Sequence, residues 1–172
     1  LNQPAQQLSY YLSHEVLHLI SFNQKGIFVN TEDERWLAEA RSDYLSTFLG
    51  YDNVYSGSIL EQRVNALRQN SNFSLLNFTG SGSDYAAAHL LAEYLVEKYG
   101  IDILVDSLHS KLTGIASINE ALAKNGYSED LIVGGSSDDI STNQEGPIVR
   151  MYLNTPHFLS GQTVNNSPVF YA

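Results

Sequence analysis

The chain contains no cysteine, so no disulfide can hold the fold and no thiolate can bind a metal or act as a nucleophile. Any metal must be held by histidine and carboxylate. Basic residues are also scarce: nine Lys and Arg stand against 19 Asp and Glu, and a formal charge of −10 repels phosphate backbones, which excludes nucleic acid as an expected partner. No apolar run approaches the roughly 20 residues that span a bilayer. The first residues lack the basic stretch and hydrophobic core of a signal peptide. Internal repeats and coiled-coil heptads are missing as well.

With 172 residues, 43% of them hydrophobic, the chain has enough apolar surface for one well-buried core. A single catalytic-sized domain over 1–172 is expected, with two site-bearing helices in 1–50, a helical half in 51–130 and a loop-rich tail in 131–172. An acidic, cysteine-free chain rich in Ser, Asn, Gly and Tyr suits a secreted or cell-surface bacterial protein. The key motif lies only a dozen residues from Leu1, which suggests that an upstream part of a larger protein precedes it.

Apolar spacing predicts a first helix over residues 4–22, with Leu8, Leu12, Val16, Leu19 and Ile20 as its periodic residues. Residues 23–30 read as a loop with room for a brief strand. Thr31 is the expected N-cap of a second helix, with Glu34 three positions on and Gly50 at its stop. A third helix is expected over 58–68, a polar Gly/Ser-rich connection over 70–83, and a long fourth helix capped by Ser83 or Asp84 and ended by Gly100. Two shorter helices follow, over 101–112 and 118–124. Residues 134–146 are mostly Gly, Ser, Asp and Asn and read as surface loop, with a short ordered return over 148–153.

Within the first helix, His14-Glu15-Val16-Leu17-His18 puts two imidazoles four positions apart, on one helix face, where both can reach one metal ion. Glu15 stands beside them, placed to take a proton from a water whose pKa zinc lowers toward roughly 7. A helix with two hydrogen-bonded surface histidines is the plain alternative. The second helix weighs against it, because Glu39 follows His18 by 21 positions (39 − 18) and Asp43 lies one turn further on the same face. One carboxylate can complete a His/His/Glu zinc sphere while the other accepts a hydrogen bond from the far nitrogen of a ligand histidine. Helices joined by a short connection pack antiparallel, so a residue early in the second returns to a metal held late in the first.

HEVLH followed by WLAEARSDY resembles the gluzincin clan of zinc metallopeptidases, whose pattern is HExxH, about twenty residues, then ExxxD or ExxxE, and whose best-known zinc site is that of thermolysin. The segments HEVLHLISFN, ERWLAEARSDYL and YAAAHLLAEYLVEKYG look closer to the hyicolysin-type bacterial metallopeptidases. The likeness spans about residues 10–126 and is sharp only in the two zinc segments. It implies His14, His18 and Glu39 as zinc ligands, Glu15 as general base, Asp43 as the carboxylate behind a ligand histidine, and a mainly α, zincin-like α+β fold with a small sheet upstream. Where family members often have Asn-Glu-Gly, this chain has Ala38-Glu39-Ala40. No GxMEN-like segment, which binds a free amino terminus in related aminopeptidases, is present, so an endopeptidase acting on protein or peptide is expected.

Zinc hydrolysis develops negative charge on the carbonyl oxygen, and a Tyr or His commonly supplements the metal as donor. Tyr85, after the Gly80-Ser81-Gly82-Ser83-Asp84 loop, is the candidate, with core packing as its plain alternative and Tyr44 as a second choice. His89 and His109 read as structural or surface histidines, and His157 as a turn residue with an outside chance of entering the cleft. Ser136-Ser137-Asp138-Asp139 reads as a solvated acidic loop more than as a calcium site. From another functional class, the rival is a binding or adhesion module that keeps a zincin scaffold with structural zinc.

Overall fold

The computed structural model describes residues 3–69, 75–128 and 131, with side chains from residue 7 onward. Six α-helices make up most of it: α1 (Gln3–Ser21), α2 (Arg35–Phe48), α3 (Ile59–Gln69), α4 (Gly82–Tyr99), α5 (Asp102–His109) and α6 (Gly114–Lys124). No strand occurs among the described residues, so the fold as described is mainly α. None of these helices is long and apolar enough to cross a membrane. The expectations for residues 134–146, 148–153, Ser136, Ser137, Asp138, Asp139 and His157 lie outside the described residues.

The centre of the molecule is α2 against α4; α1 packs on α2, α3 and α5 pack on α4, and α5 pairs with α6. Alpha-4 buries Ala86, Ala87, Ala88 and Ala92, and these short side chains let a neighbouring helix come close, while Leu90, Leu91 and Leu95 fill the space between. Trp36, Leu37 and Ala40 supply the α2 side of that core. Each fully buried Leu contributes roughly 1.5–3 kcal/mol relative to exposure, so the α2–α4 contact is the rigid base on which the polar side of α2 is displayed.

Alpha-1 departs from the amphipathic expectation. Its periodic residues Leu8, Leu12, Val16, Leu19 and Ile20 are exposed, Leu19 by 69%, and the apolar strip continues through Phe22, Ile27 and Phe28. Tyr10, Ser13, His14 and Ser21 are buried instead. The cause lies on α2, whose facing side is itself polar: Ser13 Oγ meets Ser46 Oγ at 2.9 Å, and Tyr10 Oη donates to Asp43 Oδ1 at 2.7 Å. Polar groups on α1 thus find partners that an apolar face would leave unsatisfied.

Residues 23–30 are neither loop nor strand. The chain continues from α1 into a wider, π-helical turn over Phe22–Val29, ended by Asn30 in the left-handed conformation (φ 55°, ψ 46°). Lys25 is drawn inward there, donating to the carbonyls of Ser110 and Leu112 beyond α5. Thr31 does not cap α2. Its N–H closes onto Lys25 O at 3.0 Å, finishing the π turn, and α2 starts only after Glu34, whose carboxylate accepts from Trp36 Nε1 at 2.6 Å.

Two other boundaries move for identifiable reasons. Alpha-4 is capped by Ser81, not by Ser83 or Asp84: Ser81 Oγ accepts from Asp84 N at 3.2 Å while Asp84 Oδ2 accepts from Ser81 N at 3.0 Å, a reciprocal capping box. Alpha-5 stops at His109, three residues before the expected end, and α6 begins at Gly114, four residues early. Gly114 has φ +53° and packs against the Glu34 carboxylate, with its N–H donated to Asp33 Oδ1 at 2.9 Å; a side chain there would be both strained and crowded.

Candidate metal centre

Pairs between α1 and α2 run in opposite directions: Tyr10 meets Asp43, Ser13 meets Ser46, His14 meets Asp43 and Glu39, and His18 meets Glu39 and Ser42. This antiparallel register brings the HEVLH turn opposite the start of α2. His14 and His18 sit one turn apart on α1, and Glu39, Ser42 and Asp43 occupy one face of α2 because positions three and four apart share a side.

The result is a small triangle of donor atoms. His14 Nε2 lies 3.0 Å from His18 Nε2 and 3.1 Å from Glu39 Oε2, and His18 Nε2 lies 3.3 Å from the same oxygen. Ligands about 2.1 Å from a tetrahedral zinc are separated by about 3.4 Å, so the triangle is close to the edges of such a site. Glu39 Oε2 is buried without an aligned hydrogen-bond donor, although both imidazole nitrogens are near it. These three side chains form a group whose ligand atoms could hold one metal ion.

The outer nitrogens are held from behind. His14 Nδ1 stands 2.9 Å from Asp43 Oδ1, and His18 Nδ1 lies 3.3 Å from Ser42 Oγ. The His14–Asp43 approach is short yet not well aligned as a hydrogen bond, so the pair is better described as an ionic contact than as a full one. Asp43 favours a proton on His14 Nδ1, and with Nδ1 protonated each ring would present Nε2 to a metal. Among the described residues, His14, His18 and Glu39 are the set of His and carboxylate side chains whose ligand atoms converge in this way.

No family model matches this chain, and neither a curated protein nor a solved structure matches it. What the site can do therefore follows from its own donor set: two imidazoles and one carboxylate, with both imidazoles neutral, are a set that could hold zinc.

Glu15 is exposed on the turn that carries both histidines. Tyr85 is half-buried at the start of α4, edge-on to Phe78 with ring centroids 5.1 Å apart. Burial raises its hydroxyl pKa, the Glu39 charge adds to this, and Arg35 opposes it, so the tyrosine lies within the field of the ligand carboxylate and keeps its proton. Tyr44, by contrast, is part of the apolar core, and burial with the Glu93 charge pushes its hydroxyl up to about 12. His89 is wholly buried, with Nε2 2.9 Å from Thr47 Oγ1, and His109 places Nδ1 2.9 Å from Val105 O on its own helix. Sequence spacing did not nominate Ser42, Tyr10, Arg35 or Arg63. Ser42 had a signal, its position three after Glu39.

A groove of about 650 Å³ runs past His18 and Glu39, walled by the π-helical turn and the start of α2, with Phe22, Asn30, Arg35 and Ala38 among its lining residues. Its lining includes two of the three donor residues, His18 and Glu39.

The electrostatics of the triangle lead to a pH prediction. Burial lowers the His14 pKa, but the adjoining Asp43 and Glu39 carboxylates outweigh it and raise the group from 6.5 to about 9. Burial raises Glu39, and the two imidazoles outweigh that and lower it from 4.5 to about 2. After chelation, the His14 contribution to stability is present below pH 6.5 and lost as pH rises through about 9. The Glu39 contribution is present above pH 4.5 and lost as pH falls through about 2. With zinc, the slope over pH 6.5–9 should reverse, because the metal needs the neutral imidazole. Melting temperatures against pH, with chelator and with zinc, check this; parallel curves would contradict it.

Proposed function

We propose that the chain is a zinc-dependent peptidase of gluzincin type, acting as an endopeptidase on protein or peptide. The observation that carries this reading is the convergence of His14 Nε2, His18 Nε2 and Glu39 Oε2 to within 3.3 Å of one another, on helices braced by a packed core. These three residues would hold zinc. When bound, zinc supplies Lewis acidity, making water nucleophilic near neutral pH and polarising a carbonyl.

The chain's own residues carry the remaining roles. Glu15, exposed beside the ligands, takes a proton from the attacking water and delivers it to the leaving amine. Asp43 holds the His14 ring, and Tyr85 offers its hydroxyl to the charge that develops on the carbonyl oxygen. The groove along His18, Phe22 and Arg35 seats the peptide. The α+β zincin architecture, with a small sheet upstream, belongs to the same proposal; the apolar side of α1 exposed here is the surface that such a layer would cover. An extracellular bacterial setting is retained on composition alone.

The rival is a binding or adhesion module in which zinc serves structure. A structural zinc is closed by four protein ligands, and among the described residues no fourth His or carboxylate joins the three, which favours the catalytic reading. Elemental analysis of the full chain decides between them together with casein cleavage. About one zinc per chain and cleavage abolished by chelator are expected. No zinc would sink the proposal, and zinc without cleavage would transfer the site to the binding module.

A further inference from the structure

Asp43 is fully buried, and its two carboxylate oxygens face different groups. Oδ1 accepts from Tyr10 Oη at 2.7 Å and meets His14 Nδ1 at 2.9 Å. Oδ2 faces Arg63 Nε at 3.4 Å, an ion pair that is not aligned as a hydrogen bond, and His89 Nδ1 at 3.9 Å. Arg63, on α3, is the nearest permanently charged group to this carboxylate. The same guanidinium lies 4.6 Å from the centroid of the Tyr85 ring, over its face. One planar cation therefore touches both the carboxylate that holds a ligand histidine and the aromatic ring at the start of α4.

We infer that Arg63 is a positioning residue for the site: it sets the Asp43 carboxylate, and through it the His14 ring, while its flat face sets the Tyr85 ring beside the metal ligands. This rests on the peptidase reading above. Its chemistry needs a guanidinium specifically. A guanidinium can lie over an aromatic face and still bring its edge within ion-pair distance of a carboxylate, whereas the ammonium of lysine is a compact point charge that cannot keep both geometries. His89 faces the same oxygen through Nδ1 at 3.9 Å, farther than the 3.4 Å of Arg63, and does not reach the Asp43 carboxylate as a hydrogen bond. Tyr10 donates to the opposite oxygen, and Arg63 also interacts with the Tyr10 hydroxyl. The alternative is that Arg63 does no more than neutralise a buried carboxylate, in which case any cation of similar reach would serve.

The test compares wild type, Arg63→Lys and Arg63→Met as full chains. Zinc affinity is measured by competition with a chromophoric chelator, kcat and KM on one fluorogenic peptide cleaved by the wild type, and melting temperature on the chelated proteins. Displacing a group behind a metal ligand typically costs about 10–100-fold in metal affinity or activity. Arg63→Lys is expected to lose roughly tenfold or more in zinc affinity and to lower kcat with KM little changed, while the chelated protein melts close to wild type. Arg63→Met should lose more. Lysine that restores both affinity and kcat to wild-type values would overturn the inference and leave Arg63 as charge balance only. If Arg63→Met fails to fold, the lysine variant still decides. A wild type that binds no zinc would overturn this inference and the peptidase reading together; a wild type that binds zinc and cleaves, with both variants unaffected, would overturn this inference alone.

Discussion

Glu15→Gln should remove peptide cleavage by about 10²–10⁴-fold while zinc content and melting temperature stay at wild-type values. The expectation follows from where Glu15 sits. It is exposed on the helical turn bearing His14 and His18, so its removal leaves no buried partner unsatisfied, and exposed substitutions of this kind usually stay within about 0.5 kcal/mol of wild type. Glutamine keeps the shape and can still accept a hydrogen bond, but it cannot carry the proton from water to the leaving amine. The measurement is a steady-state assay alongside elemental analysis and a thermal melt of the same sample. Retained cleavage with retained zinc would remove Glu15 from the chemistry. For a binding module, the same substitution would leave partner recognition unchanged.

Arg41→Ala should destabilise the fold by about 3–5 kcal/mol, because it strands a buried carboxylate. Arg41 Nη1 pairs with Asp33 Oδ2, and its Nε and Nη2 donate to Ser107 Oγ at 3.2 and 2.9 Å. Both members of the ion pair are almost entirely out of water. Asp33 also accepts from the N–H of Gly114 at the start of α6, and Lys25 Nζ approaches it at 3.8 Å. One side chain on α2 thereby ties the segment after the π turn to α5 and α6. Urea denaturation monitored by the far-ultraviolet helix signal measures the loss. Arg41→Met combined with Asp33→Leu should recover much of it, since the cost lies in the unpaired charge more than in the missing attraction. A loss below about 1 kcal/mol for Arg41→Ala would mean that Asp33 finds water or another cation. Asp33 and Lys25 line the groove, so a partial loss should raise KM before it lowers kcat.

Local chemistry was legible in the residues themselves. His14 and His18 at a four-residue spacing, and Glu39 and Asp43 at the same spacing, each belong to one helix face whatever the rest of the chain does. Helix existence was equally readable for α2 and α4, where apolar periodicity and a terminal Gly agree, and for α3 from periodicity alone. Helix starts were less so. Thr31 and Ser81 are both hydroxyl residues ahead of an acidic one, and only the path of the backbone decides that Ser81 caps while Thr31 closes a π turn.

The inward face of α1 was the largest difference. Periodicity identifies an apolar side, but it does not say what that side will meet, and the polar side of α1 turned inward because Glu39, Ser42, Asp43 and Ser46 were waiting on α2. Arg63 escaped notice for a related reason. It is one arginine on an amphipathic helix, and its contact with Asp43 joins positions 20 apart (63 − 43) that no local pattern links. By itself the sequence determined which donor atoms exist and which of them share a helix face, since those follow from covalent order and the 3.6-residue turn. Only the tertiary structure decided that the two faces meet, how closely the three donors converge and which buried charges stand behind them, because those depend on the packing of α1 and α3 around the rigid α2–α4 pair.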